Sequence, residues 1–355
     1  MASAHSRNNI GFLRLLFASG VILTHVHEQW GQAPPSPDLL QSITGNGLTI
    51  SALCVDAFFL LSGYLIVQSM QHSATAGDYF AKRILRIFPA FIVAFVASLL
   101  IVPALYGHSP SPWQGWRVLI LQRPEGFYEG AAWIEPNSPM WTISYEFRCY
   151  ILVALLGSAG WLAKRKLVLR GAVFFFLLFC FCNLPPVYWR VEQFRFPPIV
   201  DMTLGSPYPT IRFLATFGFG ASAYLYREEL DRIIRGRTAA AAAAIFAVAV
   251  FYRPIAESSA ILFGGVALFW LALHARLGRL QAINDRFDIS YGTYLYGWPL
   301  GILLSFAGLG FAAYSAATLF AAWAAGAISW VLVEKPAKGL KRRLAPKRTA
   351  LDTGA

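Results

Sequence analysis

Apolar stretches close to the ~20 residues that a helix needs to cross a bilayer core recur along most of this chain. They lie near 10–28, 48–70, 87–106, 141–160, 167–182, 208–226, 239–252, 257–275, 289–307 and 310–333. The pattern predicts an all-α, polytopic integral membrane protein with about ten transmembrane helices. Residues 1–340 read as one transmembrane domain and 341–355 as a basic cytoplasmic tail. The first stretch has the short polar start of a secretory signal. Arg14 interrupts its apolar run and no small-residue cleavage site follows, so a retained helix is expected.

Lys and Arg alternate in abundance between these stretches, and that alternation sets the expected orientation. One set of connections holds Arg7; Lys82, Arg83 and Arg86; Lys164, Arg165, Lys166 and Arg170; Arg227, Arg232, Arg235 and Arg237; Arg276, Arg279 and Arg286; and the tail from Lys335 to Arg348. The alternate set holds Arg117, Arg123, Arg190, Arg195 and Arg253. Both termini are therefore expected in the cytoplasm. This accounts for the net charge of +12 without nucleic acid as a partner, and the tail reads as a signal facing anionic lipid. At 57% hydrophobic and 14% charged, the composition excludes a water-facing globule and a disordered chain. Cys54, Cys149, Cys180 and Cys182 sit inside apolar stretches with no metal-ligand or disulfide spacing, so free buried thiols are expected and no metal site. Two outer connections, 107–140 and 183–207, exceed what a hairpin needs and are rich in Pro, Trp and Tyr. They form either a lid or acceptor platform, or an interfacial aromatic belt.

Ionisable residues inside the spans are costly in hydrocarbon, so each one that is kept is a functional candidate. Arg14 and His25, eleven positions apart, share one face of the first helix about 16 Å apart in depth. Arg83 and Arg86 project from one side of the third span near the depth of Arg14, and Arg pairs bidentately with phosphate. Glu146 enters the fourth span from the outer end and matches the depth of His25. The expectation is that the two meet, the carboxylate fixing the imidazole tautomer for general-base work. Arg148 projects from another side of that helix and is a poor partner for Glu146. Asp56 is either a second carboxylate of the polar site or structural packing near Gly63, and Arg212 holds either Asp56 or Glu146. Trp141, Tyr145, Asp56 and Arg212 complete the expected supporting polar site. A cationic inner end joined along one helix face to a His–carboxylate outer end suits a phosphate-bearing donor threaded outward, and coenzyme A has that shape.

At these residues the chain resembles the membrane acyltransferase-3 family of polytopic enzymes that O-acylate extracytoplasmic glycans. The resemblance runs from Asn9 to Pro336 and is carried by Arg14-x10-His25, the Val55-Asp56-x-Phe58-Phe59-x-x-Ser62-Gly63 segment, Lys82-Arg83-x-x-Arg86-x-x-Pro89 and Pro139-x-Trp141-Thr142-x-x-x-Glu146. Ile289-Ser290-Tyr291-Gly292-x-Tyr294-Leu295 and Glu334-Lys335-Pro336 complete it. Many members place a histidine where Gly297 stands here, so no role for that histidine carries over. Some relatives also append a hydrolase-like domain, and none is expected here.

The resemblance implies acyl transfer, acetyl by default and succinyl as competitor, from cytoplasmic acyl-CoA to a hydroxyl of an extracytoplasmic carbohydrate such as an exopolysaccharide or O-antigen. In that reading His25 is the essential histidine, Arg14, Arg83 and Arg86 engage the donor, and Glu146 orients His25. Transfer is either direct or through an acyl-imidazole. The expected setting is multi-pass insertion in a bacterial inner membrane. The expected partners are membrane lipid, acyl-CoA as donor substrate with no resident cofactor, the carbohydrate acceptor, and polysaccharide synthesis or export machinery. The rival readings are a secondary transporter of an organic anion or lipid-linked sugar, and a structural subunit of a polysaccharide synthase.

Overall fold

A computed structural model describes residues 8–30, 36–45 and 48–344. Arg7 and residues 345–355 of the basic tail lie outside them. A helix stands at each of the apolar stretches. α1 (Ile10–Gln29) leads through the short α2 (Leu39–Thr44) to α3 (Ile50–Gln71) and α4 (Ala76–Leu105). The first long connection carries the β1–β2 hairpin (Phe127–Glu129, Ala132–Ile134) and precedes α5 (Trp141–Ser158) and α6 (Arg165–Cys182). Short helices α7 (Pro185–Gln193) and α8 (Pro198–Leu204) fill the second connection before α9 (Pro207–Leu225). α10 (Arg227–Ile233), α11 (Gly236–Ala249), α12 (Arg253–Ser259), α13 (Gly265–Leu273), α14 (Ser290–Ser305), α15 (Phe311–Ser329) and α16 (Lys335–Leu344) complete the chain.

Among the described residues, five continuous helices are long and apolar enough to cross a membrane: Ile10–Gln29, Ile50–Gln71, Ala76–Leu105, Arg253–Leu273 and Phe311–Leu340. A sixth candidate is α6 with α7, bent by 103°. Two of the five run through single π-turns, Ala260–Gly264 and Trp330–Glu334, which join α12 to α13 and α15 to α16. α4 starts well before the expected residue 87, because Thr75 caps it by accepting from Asp78 N and the polar first turns are held by a Lys82–Asp78 pair at 2.7 Å. Arg83 and Arg86 therefore lie within the helix body. Large apolar side chains face outward on α4 (Ile92, Val93, Val96, Leu100), α6 (Phe174, Leu177, Phe181) and α15 (Phe320, Ile328), as lipid-facing surfaces require.

The centre of the bundle is closed by small residues. α3 packs on α9 so tightly that a Cβ on Gly63 would stand 2.1 Å from the Phe217 carbonyl oxygen, and one on Gly220 would stand 2.0 Å from that of Leu60. Without a hydrophobic driving force inside lipid, this backbone proximity is how helices gain van der Waals contact. The same interface buries Asp56 and Arg212. The guanidinium donates Nε to Oδ1 and Nη2 to Oδ2 at 2.9 Å each, and Nη2 also reaches the Ala52 carbonyl. Arg212 thus holds Asp56 rather than Glu146. All four cysteines are free thiols, with Cys180 partly exposed and the others buried.

Candidate active site

α1 and α14 run side by side in the same direction, since Arg14 meets Asp288 just before α14 while His25 meets Trp298 near its far half, and α4 packs on α14 and brings Arg86 to the same acid. Asp288 Oδ2 accepts from Arg14 Nη1 at 2.9 Å and Arg86 Nη2 at 2.5 Å. Its Oδ1 accepts from the Asn284 amide, the Ser290 hydroxyl and the Ser290 backbone. Behind it, the π-turn at the end of α15 brings Glu334 within 3.7 Å of Arg86. Two carboxylates thus hold two guanidiniums from different helices side by side, which their mutual repulsion would otherwise oppose.

Arg14, Arg83 and Arg86 line a single cavity of about 120 Å³, together with Ser62, Tyr150, Tyr291 and Glu146. At ~30 Å³ per water, this holds a few waters or a small acyl group, not a nucleotide. Arg83 donates to Ser69 Oγ at 3.1 Å and faces the Tyr150 ring, while its Nε is buried with no partner. Glu146 accepts from Ser62 Oγ at 2.8 Å and Tyr150 Oη at 2.5 Å, so its carboxylate is fixed on the cavity wall.

The expected meeting of Glu146 with His25 does not occur. Thr142, one turn outward of Glu146, bonds the Tyr294 hydroxyl, and Trp298 lies one further turn along α14, so Glu146 and His25 are separated by roughly 11 Å in depth. Tyr294 also donates to the Pro139 carbonyl and stands edge-on to Phe58; both rings line the cavity, and His25 does not. The imidazole instead finds its carboxylate within its own helix. His25 Nδ1 donates to Glu28 Oε2 at 2.9 Å, one turn on, and the ring lies edge-on against Trp298 with centroids 4.9 Å apart. That bond leaves Nε2 as the acceptor nitrogen. The sequence carried the signal at i, i+3, but helix depth matching pointed to the more distant acid.

The other supporting residues are corrected as well. Asp56 and Arg212 are absent from the cavity lining, and Trp141 and Tyr145 face a second, polar cleft of about 510 Å³ on the other side of α5. That cleft is walled by both long connections, through Arg117, Arg123, Glu192, Arg195 and Asp201. In the first, burial holds the Arg117 guanidinium below its ordinary value despite Glu125 at 3.5 Å. Asp288 and Glu28 were not singled out in the sequence. Gly297, where many relatives have histidine, packs so closely on α1 that a Cβ would come 2.5 Å from Ile22 Cγ1.

A match to the family described as "Acyltransferase domain" covers residues 7–334. The chain is 26% identical to nodulation protein 10 of Rhizobium leguminosarum bv. viciae, over 98% of each chain. It is 26% identical to an O-acetyl transferase of Shigella phage Sf6, over 93% of this chain and 96% of that one. A shorter match, 28% identical over 30% of this chain and 28% of the other, is to the acyltransferase MdmB of Streptomyces mycarofaciens. No solved structure matches.

Proposed function

The chain belongs to the acyltransferase-3 family, and from that premise we propose that this enzyme moves an acyl group, acetyl by default, from cytoplasmic acyl-CoA to a hydroxyl of an extracytoplasmic carbohydrate. It would do so from a bacterial inner membrane, spanning it about ten times with both termini inside. The observation that carries this reading is the convergence of Arg14, Arg83 and Arg86 on one cavity, with His25 about 16 Å further along the helix that supplies Arg14. Guanidiniums suit the donor's phosphates, and the cavity has room for the acyl group itself.

In the proposed reaction, His25 Nε2 takes the proton from the sugar hydroxyl as that oxygen attacks the thioester carbonyl. The new ester bond forms, the carbon–sulfur bond breaks, and the proton passes from the imidazolium to the departing thiolate. Glu28 holds the ring in the tautomer this needs and steadies the transient imidazolium. Glu146, bound to Ser62 and Tyr150, orders the passage below rather than orienting His25. The thioester reaches His25 once the Tyr294 ring leaves its contact with Phe58.

The test is transfer of labelled acetyl from acetyl-CoA to surface glycans in membranes carrying His25→Ala. Loss of general-base catalysis is worth about 10²–10⁴-fold, and turnover within a few-fold of the parent rejects the role of His25. Rapid-quench trapping without acceptor separates direct transfer from an acyl-imidazole.

A further inference from the structure

The second cleft lies on the face of α5 opposite the cationic cavity: Ser144, Tyr145 and Arg148 line the one, Ile143, Glu146 and Tyr150 the other. Its volume of about 510 Å³ falls in the ~300–1,000 Å³ range of small-molecule sites. Four guanidiniums and two carboxylates line it. Arg123 is paired with Glu135, and Arg117 has Glu125 at 3.5 Å. Arg148 and Arg195 have no carboxylate within ion-pair distance among the described residues. Arg148 donates to the Met202 carbonyl at 2.9 Å and Ser144 Oγ at 3.4 Å, and Arg195 donates to the carbonyls of Glu192 and Phe194. The two acids in the lining accept from hydroxyls, Glu192 from Tyr188 and Asp201 from Ser206, and keep their charge, with Asp201 near enough to act on Arg148.

The loop that closes over Arg148 is shaped for it. Gly205 adopts φ +84, and a Cβ there would stand 2.7 Å from Arg148 Nη1 and 2.4 Å from the Tyr145 ring, so only glycine lets the backbone lie so close. Ser206 N then donates to Tyr145 Oη at 2.9 Å, and the Arg148 guanidinium stacks over the Tyr145 ring at 4.7 Å. Trp141 also lines the cleft, its ring edge-on to Tyr145 and tilted against Phe213. The cleft is also mechanically joined to the histidine end: Glu135 binds Arg123 by its side chain and accepts from Trp298 Nε1 at 2.7 Å by its carbonyl, and Trp298 abuts His25.

We propose that this cleft is the acceptor subsite, and that it holds a saccharide residue carrying an anionic group, a carboxylate or a phosphate, on Arg148 and Arg195. This rests on the acyltransferase reading for the word acceptor, but the anion selectivity stands on the cleft alone. Charge-assisted hydrogen bonds contribute ~1.5–3 kcal/mol each, so one lost guanidinium should cost roughly 10–100-fold in affinity.

The experiment is equilibrium dialysis with the full chain in lipid nanodiscs, using a labelled glucuronate-containing disaccharide, its carboxyl-reduced neutral counterpart, and glucose 6-phosphate. At least one anionic probe should bind tenfold or more tighter than the neutral sugar, and whichever is stronger identifies the group. The preference should collapse in Arg148→Gln and in Arg195→Gln, the latter on an exposed connection where folding is not at stake. Equal affinity for all three probes, or a preference that survives both substitutions, overturns the site. Acetyl transfer to the same sugars separates the two ideas. Anion-selective binding without transfer to any sugar supports the subsite and counts against the enzyme's proposed acceptor class. Transfer with the same KM for acid and neutral forms keeps the enzyme reading and overturns the subsite.

Discussion

Glu28 follows His25 by three positions, so its carboxylate reaches Nδ1 using helix geometry alone and needs no help from the rest of the bundle. If it fixes the tautomer, Glu28→Ala should lower kcat by about tenfold or more, ~1.4 kcal/mol, with a smaller change in the donor KM. Glu28→Gln, which still offers a carbonyl acceptor, should recover part of the loss. An equal effect of both changes on KM alone would make Glu28 a binding residue instead. Glu146→Gln should behave differently, raising the donor KM, because its contacts are Ser62 and Tyr150 on the cavity wall. The arginines drew notice in the sequence because a guanidinium inside an apolar stretch is costly, although snorkelling or a positive-inside anchor explained each one taken singly. Asp288 was not: it sits in the turn before α14, where an acid looks ordinary, and its partners lie 202 and 274 positions away.

At the scale of elements, Asp288 is a hinge between three helices, ending the approach to α14 and tying α1 and α4 to it. Asp288→Ala leaves Arg14 and Arg86 facing each other with only Glu334 nearby, and breaking one side of a buried pair costs ~3–5 kcal/mol. The variant should lose thermal stability in detergent and donor affinity together; loss of affinity at unchanged stability would mean the acid contacts donor directly. The α3–α9 contact makes a second prediction. A methyl on Gly220 must move backbone at Leu60, and overpacking costs ~1–3 kcal/mol, so Gly220→Ala should lower the unfolding midpoint, whereas Gly171→Ala, with open space at its Cβ, should leave it unchanged. Helix existence was readable from apolar runs, and Ser62–Gly63 was readable as a marked segment. The pairing of α3 with α9 was not, since apolar periodicity says which face is buried but not against what.

At the scale of the molecule, the basic connections gather at one end of the bundle. Arg165 pairs with Glu229, Asp231 approaches His274 at 3.5 Å, Asn9 bonds the Leu271 and Ala275 carbonyls, and Asn284 reaches Gly11, so the ends of α1, α6, α10, α13 and the start of α14 are neighbours. The opposite end gathers Gln29, Trp298, Glu135 and Leu309, with the polar cleft beside them. If the positive-inside rule governs this chain, the first end faces the cytoplasm and the cleft faces out. That orientation is what allows a cytoplasmic donor and an external acceptor to meet on one protein. One cysteine introduced at each of two exposed positions decides it: Ser111→Cys on the connection that carries Arg117 and Arg123, and Arg232→Cys in α10, each with partly exposed Cys180 changed to Ala. In intact cells a membrane-impermeant maleimide should modify position 111 and spare position 232 until the membrane is opened. The reverse pattern would put the arginine cavity outside and remove acyl-CoA as its ligand, because the donor pool and the guanidiniums would then lie on opposite sides of the bilayer.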